Sequence, residues 1–199
     1  MSSKNDKFYL KLALNLAKQN EGLTNENPSV GCVIVKDNKI LSLSKTSISG
    51  RPHAEDNAIR FANTNDLKGS TIYVTLEPCT HHGKTPPCTD LIIKKKISKI
   101  VYASNDIDER TANKLKKVLK NHNISTKQIR MKEITDFYKS YFFIRKNKFP
   151  YITAKLACSN DYYIYSKKNK NITNELSRKT SHLLRYKNNA ILIVCLIHI

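Results

Sequence analysis

The sequence predicts an α/β domain over residues 1–145, a sheet layered against helices, followed by a shorter α/β segment over residues 146–199. Three observations carry this reading. Short β-branched runs are spaced along the chain, stretches of helical periodicity fall between them, and Lys146-Asn147-Lys148-Phe149-Pro150 makes a polar, Pro-containing break before a fresh start.

Taken in order, Phe8, Leu10, Leu12, Leu14, Leu16 and Ala17 lie in a window without Gly or Pro and predict a helix buried along one broad face. Val30 to Val35 is a β-branched run, and Lys39 to Ser44 is a second extended stretch across Asp37-Asn38, so the two predict an antiparallel hairpin. From His53 the spacing of Ala54, Ala58, Ile59, Phe61 and Ala62 predicts a helix, with Pro52 at its entrance. Thr71 to Leu76 predicts a strand that ends at Glu77-Pro78-Cys79, and a polar loop then leads through Pro86-Pro87-Cys88 into a helix over Thr89–Lys95. A strand over Ile97–Ala103 and helices over Ala112–Lys120 and Glu133–Arg145 complete the first domain. Beyond the break come a strand over Tyr151–Ala157, a strand-like stretch over Tyr162–Tyr165, a helix over Glu175–Tyr186 and an apolar run from Ala190 to Ile197.

Composition narrows the class. With 40% hydrophobic and 26% charged residues the chain has enough apolar material for a packed core. The N-terminal residues lead into an amphipathic stretch and lack a continuous apolar signal region, which points to the cytoplasm, and no run approaches the roughly 20 apolar residues of a membrane span. Five cysteines, an odd number, without an export signal favour reduced thiols available to a metal over disulfides. The formal charge of +19 suits an anionic partner such as a phosphorylated metabolite, while much of it is Lys dispersed among Asn and Ile, as solvated surfaces carry it.

Chemistry concentrates in Pro52-His53-Ala54-Glu55 and in Glu77-Pro78-Cys79 with Cys88. One His and two Cys offer three ligands to tetrahedral zinc, leaving the fourth position for water, and zinc lowers the pKa of that water toward neutrality. Glu55, two residues from His53, stands beside the open position as the proton shuttle. The division of labour resembles that of zinc deaminases, which combine His-x-Glu with a Pro-Cys ligand segment. His53 and Cys88 are also expected at helix openings, where unpaired N–H groups favour thiolate.

The second cysteine comes late. Cys79-Thr80-His81-His82-Gly83-Lys84-Thr85-Pro86-Pro87-Cys88 replaces the short Pro-Cys-x-x-Cys of nucleoside and tRNA deaminases. With Thr75-Leu76-Glu77-Pro78 before it and Asn27-Pro28-Ser29-Val30-Gly31-Cys32-Val33-Ile34-Val35 upstream, the sequence closely resembles the bifunctional deaminase/reductase family of bacterial riboflavin biosynthesis. The resemblance covers most of residues 6–145. It implies a cytidine-deaminase-like three-layer fold, zinc on His53, Cys79 and Cys88, Glu55 as proton donor, and Asn27, His81 and Lys84 as substrate contacts. It also implies hydrolytic release of ammonia from a phosphoribosylaminopyrimidine, with Lys84 suited to the phosphate.

Two positions depart from the family. Leu43-Ser44-Lys45-Thr46 stands for a Gly-x-Gly-x-His segment, placing Thr46 where a histidine is expected, and Asn105-Asp106-Ile107-Asp108-Glu109-Arg110 replaces a Gly-rich stretch. The second segment, with Phe149-Pro150-Tyr151-Ile152, Lys155-Leu156-Ala157 and Ser159-Asn160-Asp161, resembles the start of a reductase domain, with Tyr162 where the family has Gly. NADPH is expected only with a complete reductase, so the reductase step is expected from a separate chain if at all. A homo-oligomer is a further expectation. Two other readings compete: a nucleobase or tRNA deaminase, favoured by the charge and opposed by the long loop to Cys88, and a zinc-binding relic without catalysis acting as a partner subunit, motivated by Thr46 and the short reductase-like segment.

Overall fold

The computed structural model describes residues 3–62, 67–164 and 172–192, and the chain divides into two compact units, Met1–Pro150 and Tyr151–Ile199. The first unit begins with α1 (Ser3–Gln19), whose Tyr9, Leu10, Ala13, Leu14 and Ala17 recur at helical spacing and are all buried. The predicted hairpin follows as β1 (Gly31–Lys36) and β2 (Lys39–Lys45). Asp37 and Asn38 have φ of 49° and 61°, the positive pair that a two-residue turn needs and that Asp and Asn tolerate. A 3-10 turn at Ile48–Gly50 leads to α2 (Ala54–Phe61), β3 (Thr71–Leu76), α3 (Cys88–Lys94), β4 (Lys99–Ser104), α4 (Leu115–Leu119), β5 (Ser125–Gln128), α5 (Lys132–Phe137) and α6 (Lys139–Asn147).

The five strands form one sheet in the order β2-β1-β3-β4-β5, antiparallel from β2 through β3 and parallel from β3 through β5. Strand alternation sorts its two faces. Gly31 lies against α1 so closely that a Cβ there would sit 1.8 Å from the Ala13 carbonyl oxygen. Val33 and Val35 share that face, as does Tyr73, whose hydroxyl donates to the Asp6 carboxylate of α1 at 2.9 Å. Cys32, Ile34, Ile72 and Val74 point the other way, where α2 packs on β1 and β2 and α3 packs on α2. Helix, sheet and helix make the three layers. The fully buried Ile34, Ile72, Ile92 and Ile100 are characteristic of this core, each contributing about 1.5–3 kcal/mol by leaving water.

The structure departs from sequence expectation where tertiary contacts decide. The helix expected over Glu133–Arg145 is broken at Tyr138 into α5 and α6. The buried Tyr138 hydroxyl donates to the Ser29 carbonyl at 3.0 Å and lies 2.6 Å from Thr75 Oγ1, anchoring the break to the sheet. The helix expected from Ala112 begins only at Leu115, after Asn113 takes a positive φ of 59°. β5, Ser-Thr-Lys-Gln, is a strand that apolar patterning does not predict, because its polar residues are ordered by the β4 ladder.

In the second unit α7 (Glu175–Tyr186) matches its prediction and is capped by Asn174 Oδ1, which accepts the Ser177 N–H at 2.8 Å. The strand expected over Tyr151–Ala157 is not one. Its residues pair with no ladder among the described residues, and an extended segment without a partner for its N–H and C=O groups is not stabilised as a strand. Around Tyr162 the chain is instead a turn, with the Ser159 N–H donating to the Tyr163 carbonyl at 2.8 Å. Tyr165 and most of the Ala190–Ile197 run lie outside the described residues. No helix among the described residues is long and apolar enough to cross a membrane.

Candidate active site and metal centre

His53 is the N-cap of α2, extended at φ −68° and ψ 161°, and Cys88 is the first residue of α3, so the two helix openings face each other across the end of β3, where Cys79 follows Glu77-Pro78. The three ligand atoms lie within 4.8 Å of one another. His53 Nδ1 is 3.7 Å from Cys79 Sγ and 3.4 Å from Cys88 Sγ. Zinc bonds of about 2.3 Å to sulfur and about 2.0–2.1 Å to nitrogen at a tetrahedral angle place N and S about 3.6 Å apart, so these donors fit a zinc ion in number, type and spacing. Among the described residues no other group of three or more His, Cys, Asp or Glu clusters in this way.

The electrostatics favour a thiolate. The Cys88 N–H, in the first turn of α3, donates to Cys79 Sγ at 3.2 Å. The hydrogen bond from the Cys88 thiol, with a second from His53, holds the Cys79 thiol down to about 4, while Cys88 itself is pushed up by that bond and by burial. The bond to Cys79 raises His53. Glu55, one residue into α2 and buried, is pushed up by burial to about 7, with the His53 charge opposing and the Cys79 charge reinforcing the shift.

These residues open onto a cavity. His53, Glu55 and Cys79 line it together with Asn27 and His81. Asn27 Nδ2 donates to the Gly50 carbonyl at 3.1 Å, and Gly50, at φ 86°, has no room for a side chain, since a Cβ would meet the Thr24 carbonyl oxygen at 2.5 Å. His81 Nδ1 lies 2.9 Å from the buried Thr111 hydroxyl, which leaves Nε2 free of that bond. Lys84 is exposed and outside the cavity lining. Thr46 lines the cavity as a buried framework residue: its hydroxyl accepts the Val30 N–H at 2.9 Å.

Sequence reasoning passed over several lining residues. Arg51, Glu77, Asp106, Asp108, Arg110, Tyr141 and Arg145 all border the cavity. Glu77 is 3% exposed and accepts three backbone N–H groups, from Asp106 at 3.3 Å and Asn113 at 3.1 Å on Oε2 and from Leu115 at 3.3 Å on Oε1. It staples the 105–115 segment to the end of β3; burial raises its carboxyl, the three N–H groups opposing. Arg110 forms a two-pronged pair with Asp108, whose carboxyl that guanidinium holds well below the usual range. The one available signal for these residues was adjacency to the motif, at Arg51 and Glu77.

Comparison with known proteins agrees with this geometry. The model of the cytidine and deoxycytidylate deaminase zinc-binding region matches residues 3–104. The chain is 41% identical over 191 residues to riboflavin biosynthesis protein RibD of Aquifex aeolicus, covering 94% of this chain and 53% of that protein. It is 42% identical over 147 residues to the diaminohydroxyphosphoribosylamino-pyrimidine deaminase of Buchnera aphidicola subsp. Acyrthosiphon pisum, covering 73% of this chain and 99% of that protein. The solved structure of Acinetobacter baumannii RibD, form 2, superposes with a TM-score of 0.81 at 33% identity, over 94% of this chain and 53% of the other. The chain thus spans about half the length of the RibD relatives it matches and nearly all of the Buchnera deaminase.

Proposed function

The chain belongs to the zinc-binding cytidine and deoxycytidylate deaminase family, among the riboflavin-biosynthesis deaminases, and on that premise we propose that it hydrolyses 2,5-diamino-6-(5-phosphoribosylamino)pyrimidin-4(3H)-one to the corresponding uracil derivative and ammonia. The observation that carries the reading is the convergence of His53 Nδ1, Cys79 Sγ and Cys88 Sγ beside the buried Glu55 carboxyl, which lines a cavity with His53 and Cys79. Zinc, when bound, would be held by His53, Cys79 and Cys88 and would supply the activation of the attacking water.

The protein's own groups do the rest. Glu55 takes a proton from the attacking water and delivers it to the pyrimidine ring nitrogen, then takes the proton of the newly added hydroxyl and gives it to the departing amine. Water is consumed, the C–N bond to the amino group breaks, a carbonyl forms, and ammonia leaves. A carboxyl held near neutrality by burial is suited to both transfers, since it is neither a spent acid nor a weak base at physiological pH. Asn27 and His81 contact the substrate in this reading, which their bracing by Gly50 and Thr111 supports. The setting proposed for this reaction is the cytoplasm.

Zinc quantification coupled to an ammonia assay on the phosphoribosylaminopyrimidine tests the reading. One zinc per chain with ammonia release is the expected result, and Cys88→Ala is expected to lose both. Zinc-loaded protein that releases no ammonia from that substrate would sink it.

A further inference from the structure

Beside the residues that the deamination chemistry uses, the cavity lining carries positive groups that the chemistry does not use. Three arginines line it, and their neighbours distinguish them. Arg110 is neutralised by its two-pronged pair with Asp108. Arg51 and Arg145 have no carboxylate partner among the described residues. Each is nevertheless held in place by neutral groups. Arg51 Nη1 donates to Thr85 Oγ1 at 2.7 Å, tying it to the loop between Cys79 and Cys88. Arg145 Nη2 donates to the Glu26 carbonyl at 2.9 Å, and its guanidinium lies over the Tyr141 ring at 5.7 Å.

A guanidinium has five N–H donors in a planar fork. One bond to a hydroxyl or carbonyl fixes the fork without cancelling its charge, leaving donors free in a preset direction. Two such groups in the lining of one cavity, which the buried Glu55 also lines, fit a ligand that carries an anionic tail besides its reacting ring. We infer that Arg51 and Arg145 are the specificity-determining residues for a phosphate monoester, holding the phosphate of the substrate in that cavity. This inference rests on the proposed deaminase reading for the identity of the ring and on the arginines themselves for the anion. Lys84, the basic residue that the sequence motif singles out, is a flexible exposed ammonium outside the lining, and its contribution is expected to be smaller than that of either arginine.

The test separates anion recognition from catalysis. Binding of ribose 5-phosphate and of ribose to the zinc-loaded full chain is measured by calorimetry for the unaltered protein and for Arg51→Ala, Arg145→Ala and Lys84→Ala. The expected result is a ribose 5-phosphate affinity well above that for ribose, a loss of roughly tenfold or more in each arginine variant, and a smaller loss in Lys84→Ala. Unchanged affinity in both arginine variants, a loss confined to Lys84→Ala, or no preference of the unaltered chain for ribose 5-phosphate overturns the inference. Ammonia release is followed in parallel with the phosphorylated pyrimidine and its dephosphorylated form. The arginine variants are expected to raise KM for the phosphorylated form while leaving kcat/KM for the other within about twofold, and equal losses on both forms also overturn the assignment. Should the unaltered chain release no ammonia from either, the deaminase reading fails while the binding series still decides the arginines.

Discussion

Removing the Glu77 carboxylate should loosen one wall of the cavity while leaving the metal ligands in place. In Glu77→Ala three N–H groups lose their acceptor. The Leu115 N–H is buried, and an orphaned buried donor costs about 1–3 kcal/mol; those of Asp106 and Asn113 are partly buried and recover part of their loss by hydration. A total near 3 kcal/mol follows, which for a chain of this size lowers the melting temperature by about 6–12 °C. Glu77→Gln sharpens the test, because two of the three donors converge on Oε2 and one on Oε1. An amide turned to keep its oxygen on Asp106 and Asn113 points its own NH2 at the Leu115 N–H, so Gln preserves shape but not acceptance, and a loss of about half the Ala effect is expected. Thermal melts with zinc quantification, followed by KM and kcat, make the measurement. Since the stapled segment carries Arg110 and the Thr111 that orients His81, KM is expected to rise more than kcat falls, at full zinc occupancy. Melting of Glu77→Ala within about 1 °C of the unaltered protein would refute the reasoning.

Other expectations follow from single contacts. In Gly31→Ala the new methyl meets the Ala13 backbone at 1.8 Å and α1 must shift, so a cost of about 3 kcal/mol is expected by urea denaturation, and a loss under 1 kcal/mol would show that α1 does not seat there. Burial opposes ionisation of Asp6, but Lys127 at 2.8 Å, Tyr73 at 2.9 Å and the charge of Lys99 outweigh it and hold the carboxyl below its ordinary 3.8. Its contribution is therefore full above that value and fades as pH falls through the folded pKa. Asp6→Asn is expected to cost about 2 kcal/mol at pH 7, with a gap to the unaltered protein that narrows below about pH 4; a gap constant down to pH 3 contradicts the pairing. Glu55→Gln should keep one zinc per chain yet lower kcat by about 10²–10⁴, and a kcat within tenfold of the original removes Glu55 from the proton path.

Much of the fold was legible because local rules and tertiary context agreed. The β1–β2 hairpin was readable from two β-branched or extended runs around Asp37-Asn38, and its turn has the positive φ values those residues tolerate. α1 was readable because its buried residues repeat at helical spacing in a stretch free of breakers. Agreement failed where a distant partner set the outcome. No periodicity marks Tyr138 as the end of a helix; the break is decided by bonds to Ser29 and Thr75, 109 and 63 residues away. β5 has no apolar alternation, and the open edge of β4 makes it a strand. Tyr151–Ala157 is the converse, with strand-like residues and no edge to join.

The same division runs through the site. The sequence by itself singled out His53, Cys79 and Cys88 as a candidate donor set with Glu55 beside it, because these residue types at that spacing have few other uses, and it singled out Asn27 and His81, which line the same cavity. Only the tertiary structure decided which cations face that cavity. Arginine and lysine are common on a chain of charge +19, and apart from the place of Arg51 beside Pro52-His53 nothing local distinguishes Arg51 or Arg145 from the solvated majority. What does is position: one is tied to the metal loop through Thr85, the other comes from α6 and is braced over Tyr141. Ligand chemistry is written in residue type, whereas electrostatic recognition depends on where the fold leaves a charge without an opposing one.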